Sequence, residues 1–186
     1  MLFNQHTNIV GKHAFLSPSN YHWINYDDEK LDKMWTAAMA AQRGTELHKL
    51  AHDCIRLNVK LPSSSKTLHL YVNDAIGYKM TPEQPLYYSP NCYGTPDSIG
   101  FRRGHLRIHD LKTGVIPASE HQLEIYAALF CMEYRVNPFE IKTELRVYQS
   151  DEVRVYETDP DVIFHVMDRI RVFDKRIETM RLEAAS

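Results

Sequence analysis

Three residues that could form a hydrolytic site, Asp97, Asp110 and Lys112, lie close together in the sequence. Carboxylate oxygens are the ligands that Mg²⁺ prefers, with water and substrate phosphate completing its coordination. The ion polarises a scissile phosphate and acidifies a bound water, while a nearby ammonium orients that water or stabilises developing negative charge. The three residues therefore fit phosphodiester hydrolysis. They would equally fit an ordinary surface hairpin, so their setting must decide between the two interpretations.

A predicted β-hairpin would bring the two carboxylates together. β-type runs at 98–101 and 105–111 flank residues 102–104, whose Arg-Arg-Gly sequence is typical of a hairpin turn. Asp97 stands at the start of the first run, and Asp110 stands at the end of the second. A hairpin therefore places both carboxylates at one edge of a sheet.

The side chains at the end of the second run should divide between two faces. Successive side chains of a strand point to opposite sides, so Asp110 and Lys112 are expected to point together. Leu111 is expected to point into the core, which leaves its backbone carbonyl near the metal. The sequence thus predicts a carboxylate, a carbonyl and an ammonium in one site.

Hydrophobic spacing predicts the elements that must hold this hairpin. A short helix is expected to begin at Ser17-Pro18, and a break is expected at Gly44 within the long helical run 28–61. Further helices are predicted at 66–80, at 119–134 and from 159 onward, and strands at 86–88, 98–101, 105–111, 141–148 and 153–156. This order of helices and strands indicates one mixed α/β domain.

Further polar motifs surround the hairpin in the sequence. Gly44-Thr45-Glu46-Leu47-His48 places a histidine on the early helix. Gln122 and Tyr126 are four residues apart on the helix that follows the lysine, hence on one face. In chain order, the motifs are LSPS, GTELH, GTPD, DLKTG and QLEIY.

Together, these five motifs resemble the RecB-like branch of the PD-(D/E)XK nuclease superfamily, which includes CRISPR-associated RecB-like nucleases and small phage-encoded exonucleases. The resemblance implies a restriction-endonuclease-like α/β fold, with a mixed central sheet flanked by helices. It implies a single nuclease domain over residues 1–186, of which 1–15 are expected to be irregular. The implied activity is that of a Mg²⁺- or Mn²⁺-dependent deoxyribonuclease, with an exonuclease of recombination, repair or phage replication favoured.

The resemblance also implies which residues hold the metal. By position these are His48, Asp97 and Asp110, together with the backbone carbonyl of Leu111. Mg²⁺ or Mn²⁺ is the expected ion. Iron–sulfur members of the branch need one early cysteine and three near the C-terminus, and Cys54, Cys92 and Cys131 do not match that pattern. No iron–sulfur cluster is therefore expected.

Three further residues are implied to act in catalysis. Lys112 takes the place of the catalytic lysine. Gln122 and Tyr126 match the Gln-x-x-x-Tyr helix motif, which supports the site and contacts DNA near the scissile phosphate. Glu46 stays outside this set because it could equally be a solvated helix residue.

The expected partner is DNA, with a recombination or replication protein as a second candidate and a homo-oligomer left open. The net charge of −2 gives no support to general electrostatic binding of nucleic acid, so the DNA contact must be local. No apolar run approaches twenty residues, and the first residues lack a signal pattern. We therefore expect no membrane partner and a cytoplasmic location, in the host if the protein is phage-encoded.

Two other functions compete with the nuclease. His48 and His52 form an HxxxH pair that could hold zinc, but the zincin pattern requires glutamate where Lys49 stands. The second alternative is a catalytically silent nuclease-fold protein that binds DNA or serves assembly. A silent copy would be expected to lose one of the two aspartates or the lysine, and all three are present.

Two groups of surface residues could contact nucleic acid. Arg102, Arg103, Arg107 and Lys112 would form a basic patch near the site, although hairpin arginines are often simply solvated. A group of tyrosines could stack on bases of a single strand or pack within the protein: Tyr87, Tyr88 and Tyr93. The sequence leaves both alternatives open.

Overall fold

The computed structural model describes residue 7, residues 13–114 and residues 119–184. These residues fall into two compact units, which lie within Met1–Thr45 and Glu46–Ser186. Most of the segment predicted to be irregular, 1–15, lies outside the described residues. The described α-helices are α1 (Asp28–Arg56), α2 (Thr67–Gly77), α3 (His121–Tyr134) and α4 (Pro160–Ala184), with 3₁₀ helices at Pro18–Asn25 and Pro138–Glu140.

A mixed sheet lies at the centre of Glu46–Ser186. The strands are β1 (Thr81–Pro82), β2 (Leu86–Ser89), β3 (Cys92–Gly94), β4 (Ser98–Arg102), β5 (His105–Leu111), β6 (Lys142–Gln149) and β7 (Glu152–Glu157). Five of them form one sheet in the order β1-β4-β5-β6-β7, and β2 and β3 form a separate hairpin. Only β5 and β6 run parallel among these paired strands, because α3 connects them as a crossover. The predicted α/β class, with a mixed sheet flanked by helices, is confirmed.

The two faces of β5 pack against different helices. Leu106 and Ile108 are fully buried with α3 and α4, whereas Leu111 joins Tyr148 in a cluster with α2 and the C-terminal part of α1. Burying a leucine in this way stabilises a fold by roughly 1.5–3 kcal/mol. Both faces of the strand are covered, so the polar residues at its end are fixed within a packed framework.

The prediction of a helix break at Gly44 is wrong. α1 runs without interruption from Asp28 to Arg56, and Gly44 is a buried residue within it. One glycine costs a helix only about 1 kcal/mol relative to alanine. The alanines, glutamine, glutamate and leucine on either side are strong helix formers, and they outweigh that cost.

Asp151, in the turn between β6 and β7, holds the start of α2. Its Oδ1 accepts a hydrogen bond from the backbone N–H of Thr67 at 2.8 Å, and its Oδ2 accepts one from Lys66 Nζ at 2.9 Å. These bonds lower the pKa of the Asp151 carboxyl, and the bond from the Thr67 backbone has the largest effect.

Among the described helices, none is both long enough and apolar enough to cross a lipid bilayer.

Candidate functional site

The β4–β5 hairpin brings Asp97 and Asp110 to the same edge of the sheet, as the sequence predicts. Ser98 pairs with His109 in the antiparallel register, so Asp97, which precedes Ser98, and Asp110, which follows His109, lie at the same end of the hairpin. The turn at the far end contains Arg103 and Gly104, both with positive φ.

Asp97 is tied down through both carboxylate oxygens. Its Oδ1 lies 3.4 Å from Nδ1 of His48, on the C-terminal part of α1, and its Oδ2 accepts the backbone N–H of Leu111 at 2.7 Å. The hydrogen bond to Asp97 raises the pKa of His48, although burial opposes it. One carboxylate therefore connects α1 to the end of β5.

Asp110 is a buried carboxylate with one unused oxygen. Only 5% of the residue is exposed. Its Oδ1 accepts a hydrogen bond from Lys112 Nζ at 3.0 Å, whereas its buried Oδ2 has no hydrogen-bond partner among the described residues. Burial raises the pKa of Asp110, the negative charge of Asp97 adds to this effect, and Lys112 opposes it. A second cation at Asp110 would relieve both the burial cost and the repulsion between the two carboxylates.

Hydrogen bonds continue from Lys112 to helix α3. Lys112 Nζ donates to Oε1 of Gln122 at 3.1 Å, and Nε2 of Gln122 donates to the hydroxyl of Tyr126 at 3.3 Å. The Tyr126 hydroxyl in turn donates to the backbone carbonyl of Thr95 at 3.0 Å. The lysine amine is thus held between a carboxylate on β5 and an amide on α3.

Gly94 makes room for the tyrosine ring. A Cβ built on Gly94 would lie 2.9 Å from Cε1 of Tyr126, closer than real side chains approach. A side chain at this position would push the ring from its place, because the backbone of β3 passes directly against it. The glycine of the GTPD motif therefore has a packing role that its sequence does not reveal.

The carboxylate oxygens at this edge suit a hard divalent cation. Asp97 and Asp110 offer the oxygens that Mg²⁺ and Mn²⁺ prefer, whereas His48 offers an imidazole nitrogen, which is more usual at zinc, iron, copper and nickel sites. Within the described residues, no group of three or more histidine, cysteine, aspartate or glutamate side chains is arranged so that it could hold a metal ion. The unpartnered oxygen of Asp110 is the observation that favours an ion at this edge.

No protein-family model, characterised protein or solved structure matches this chain. The fold places all six side chains predicted from the sequence at this edge, linked by contacts through the Leu111 backbone: His48, Asp97, Asp110, Lys112, Gln122 and Tyr126. Leu111 is 1% exposed and points into the core, as its position between Asp110 and Lys112 predicts.

The predicted basic patch near the site is wrong. Arg102 and Arg103 lie at the turn of the β4–β5 hairpin, which is the opposite end from the two aspartates. Arg107 lies on the other face of β5, where its guanidinium is 4.5 Å from the ring centre of Tyr78 and its Nε donates to Glu144 at 3.2 Å. Strand alternation separates Arg107 from Asp110, and the length of the hairpin separates the other two arginines.

The surroundings of His52 differ from those of His48. His52 lies near two carboxylates, 3.3 Å from Asp53 and 3.9 Å from Glu83, whereas His48 faces Asp97. The geometry gives no support to a shared zinc site for the histidine pair.

The tyrosines of the β2–β3 hairpin divide between its two faces. Tyr88 packs against the hydrophobic core. Tyr87 and Tyr93 are 51% and 69% exposed, and their rings stack at 6.3 Å on the outer face. Core packing therefore accounts for only one of the three.

Proposed function

We propose that this protein is a metal-dependent nuclease with a restriction-endonuclease-like PD-(D/E)XK core, which hydrolyses phosphodiester bonds of DNA. The observation that carries the proposal is the buried Asp110: one of its oxygens has no hydrogen-bond partner among the described residues, the other accepts a hydrogen bond from Lys112, and the negative charge of Asp97 acts on it. A buried carboxylate close to a second negative charge is costly, so its presence beside a lysine favours a functional explanation.

The side chains divide into a metal-holding set and a set that acts on the reacting groups. His48, Asp97 and Asp110 would hold Mg²⁺ or Mn²⁺, with the carbonyl of Leu111 as a further ligand. When bound, the ion would polarise the substrate phosphate and make a bound water more acidic. Lys112 is aimed by its bond to Asp110, so its ammonium can orient the attacking water or offset charge on the phosphate.

Helix α3 fixes the lysine from the other side. Gln122 accepts a hydrogen bond from the Lys112 amine, and Tyr126 anchors Gln122 to the segment that precedes Asp97. The helix thereby joins both carboxylate-bearing segments. By the resemblance to small RecB-like enzymes, we favour an exonuclease that serves DNA recombination, repair or phage replication in the cytoplasm, alone or with a partner protein.

The first experiment measures cleavage of labelled linear and circular DNA with Mg²⁺, with Mn²⁺ and with EDTA. We expect metal-dependent loss of linear DNA. Lys112→Met should lower the rate by about 10²–10³-fold, the usual effect of removing one stabilising group. Asp110→Asn should abolish metal-dependent cleavage. Loss of circular DNA at an equal rate would indicate an endonuclease instead.

Matched variants control for effects on folding. Lys142→Met replaces an exposed lysine on β6, and Asp168→Asn replaces an exposed aspartate on α4. Both should retain full activity. If Lys112→Met and Asp110→Asn cleaved DNA as fast as these controls, the mechanism would be wrong. If the wild-type protein retained DNA without any metal-dependent cleavage, it would be the silent binding protein.

A further inference from the structure

Gln149, at the end of β6, is a polar residue in a buried position. It is only 6% exposed and lies on the same face of the strand as Leu145 and Val147, which belong to the hydrophobic core. A buried amide costs free energy unless both its donor and its acceptor have partners. A hydrophobic residue would pack here without that requirement, so the partners of Gln149 indicate its role.

The amide of Gln149 has a defined orientation. Arg154, on the neighbouring strand β7, donates from Nη2 to Oε1 of Gln149 at 2.9 Å. Because a guanidinium can only donate, the oxygen of the amide must face it. The Nε2 donor then points to the other side, where it bonds the backbone carbonyl of Gly114 at 2.6 Å.

Gly114 lies two residues beyond Lys112, in the short segment that leaves β5. The backbone N–H of Lys112 donates to the carbonyl of Tyr148 at 2.9 Å. Two consecutive residues of β6, Tyr148 and Gln149, therefore hold both ends of the segment 112–114. The two bonds fix the backbone from which the lysine side chain starts.

We propose that Gln149 is a positioning residue for Lys112, which acts through the carbonyl of Gly114 and is itself oriented by Arg154. The inference rests on the proposed nuclease function for its purpose. Without the amide donor, the segment 112–114 loses its attachment to β6 at the carbonyl of Gly114. The amine of Lys112 then spends less time between Asp110 and Gln122.

The experiment compares Gln149→Met with the wild-type protein by two measurements. Competitive acylation of lysine amines, followed by peptide mass spectrometry over a range of pH, reports how firmly the Lys112 amine is held. Steady-state cleavage of DNA with Mg²⁺ reports how much the Lys112 amine contributes to the reaction. We expect acylation of Lys112 to become roughly two- to tenfold faster, because the net free energy of one hydrogen bond corresponds to a factor of about that size. We expect kcat to fall by a similar factor at unchanged KM.

Controls separate this effect from general loosening of the fold. Lys142 and Lys175 are measured in the same digest, and their acylation should not change. Gln84→Met replaces a half-buried glutamine of the loop before β2 and should leave Lys112 unaffected. Arg154→Met keeps the donor of Gln149 but removes the hydrogen bond from Arg154 to its oxygen, so a smaller change in the same direction is expected. This variant also tests the inference if Gln149→Met does not fold.

Equal acylation of Lys112 in the wild-type, Gln149→Met and Arg154→Met proteins would overturn the inference. Faster acylation of all lysines alike would also overturn it, because the role would then be only structural. If the wild-type protein showed no cleavage, the proposed function would fail, and the acylation of Lys112 alone would decide whether Gln149 positions it. The two failures are therefore distinguishable.

Discussion

Gly94→Ala tests the contact between β3 and the site helix. The added Cβ would lie 2.9 Å from Cε1 of Tyr126, whose hydroxyl is held by Thr95 at 3.0 Å, so the ring cannot move without loss of that bond. Overpacking of this kind costs about 1–3 kcal/mol. Any Gly→Ala change also gains about 0.4–1 kcal/mol, because the unfolded chain becomes less flexible.

Gly77→Ala is the matched control, since a Cβ at Gly77 meets no atom within 4 Å. Both variants share the gain from the unfolded chain, and their difference isolates the clash. We expect Gly94→Ala to have a free energy of unfolding lower than that of Gly77→Ala by about 1–3 kcal/mol. Urea denaturation followed by circular dichroism measures this difference. In a protein of this size it corresponds to a change in Tm of about 2–12 °C.

Removal of the tyrosine ring should abolish the penalty. In a Tyr126→Leu background the atom that meets the new Cβ is absent, so Gly94→Ala should cost little there, and a double-mutant cycle gives the coupling. Metal-dependent cleavage by Gly94→Ala should fall as well, because a displaced ring no longer holds Gln122. An equal cost of Gly94→Ala in both backgrounds would refute the assigned contact.

Three further predictions concern the metal, acid stability and the exposed tyrosines. Mn²⁺ at about 100 times its Kd should raise the free energy of unfolding of the wild-type protein by about 2.7 kcal/mol, which corresponds to about 5–11 °C in Tm. The same Mn²⁺ concentration should not stabilise Asp110→Asn. An equal shift in Tm for both proteins would contradict the ligand assignment. The pKa of Asp151 is lowered on folding, so its charge stabilises the fold above its ordinary pKa of 3.8 and this contribution is lost as pH falls below that value. Asp151→Asn should therefore be less stable than the wild type at neutral pH, and the gap in denaturation midpoint should narrow below that pKa; a constant gap would argue against a charge effect. If single-stranded DNA stacks on the β2–β3 hairpin, Tyr93→Ala should weaken its binding in EDTA by about 1–3 kcal/mol, whereas Tyr134→Ala, which removes another exposed tyrosine, should not.

The parts of the site that follow from local sequence were predictable. Alternation along one strand is a fixed property of the backbone, so the opposite directions of Asp110 and Leu111 could be read from their adjacency. The same holds for the hairpin that carries Asp97, because its strands and turn are contiguous. The alternation of helices and strands, and with it the α/β class, likewise followed from hydrophobic spacing.

Contacts between distant segments could not be predicted in this way. Tyr126 meets Thr95 across 31 residues, and Gln149 meets Gly114 across 35. Such pairs depend on strand order and on the parallel pairing of β5 with β6, which no local pattern specifies. The prediction of a helix break at Gly44 is wrong for a different reason: the low helix propensity of one glycine is outweighed by the high helix propensity of its neighbours. Arg107 lies away from the aspartates because residues that are close in sequence along a strand alternate between its two faces.

The division of the chain into two compact units has a spectroscopic consequence. Both tryptophans of the protein, Trp23 and Trp35, lie in Met1–Thr45, and each has a defined partner there: Trp23 donates to the carbonyl of Ser17, and Trp35 packs edge-on against Phe15. Fluorescence excited where only tryptophan absorbs therefore reports on this unit, whereas tyrosine signals come mainly from the unit that contains the site. If the chain unfolds as a single cooperative domain, the tryptophan and tyrosine signals change at the same denaturant concentration. Separate transitions would indicate two folding units.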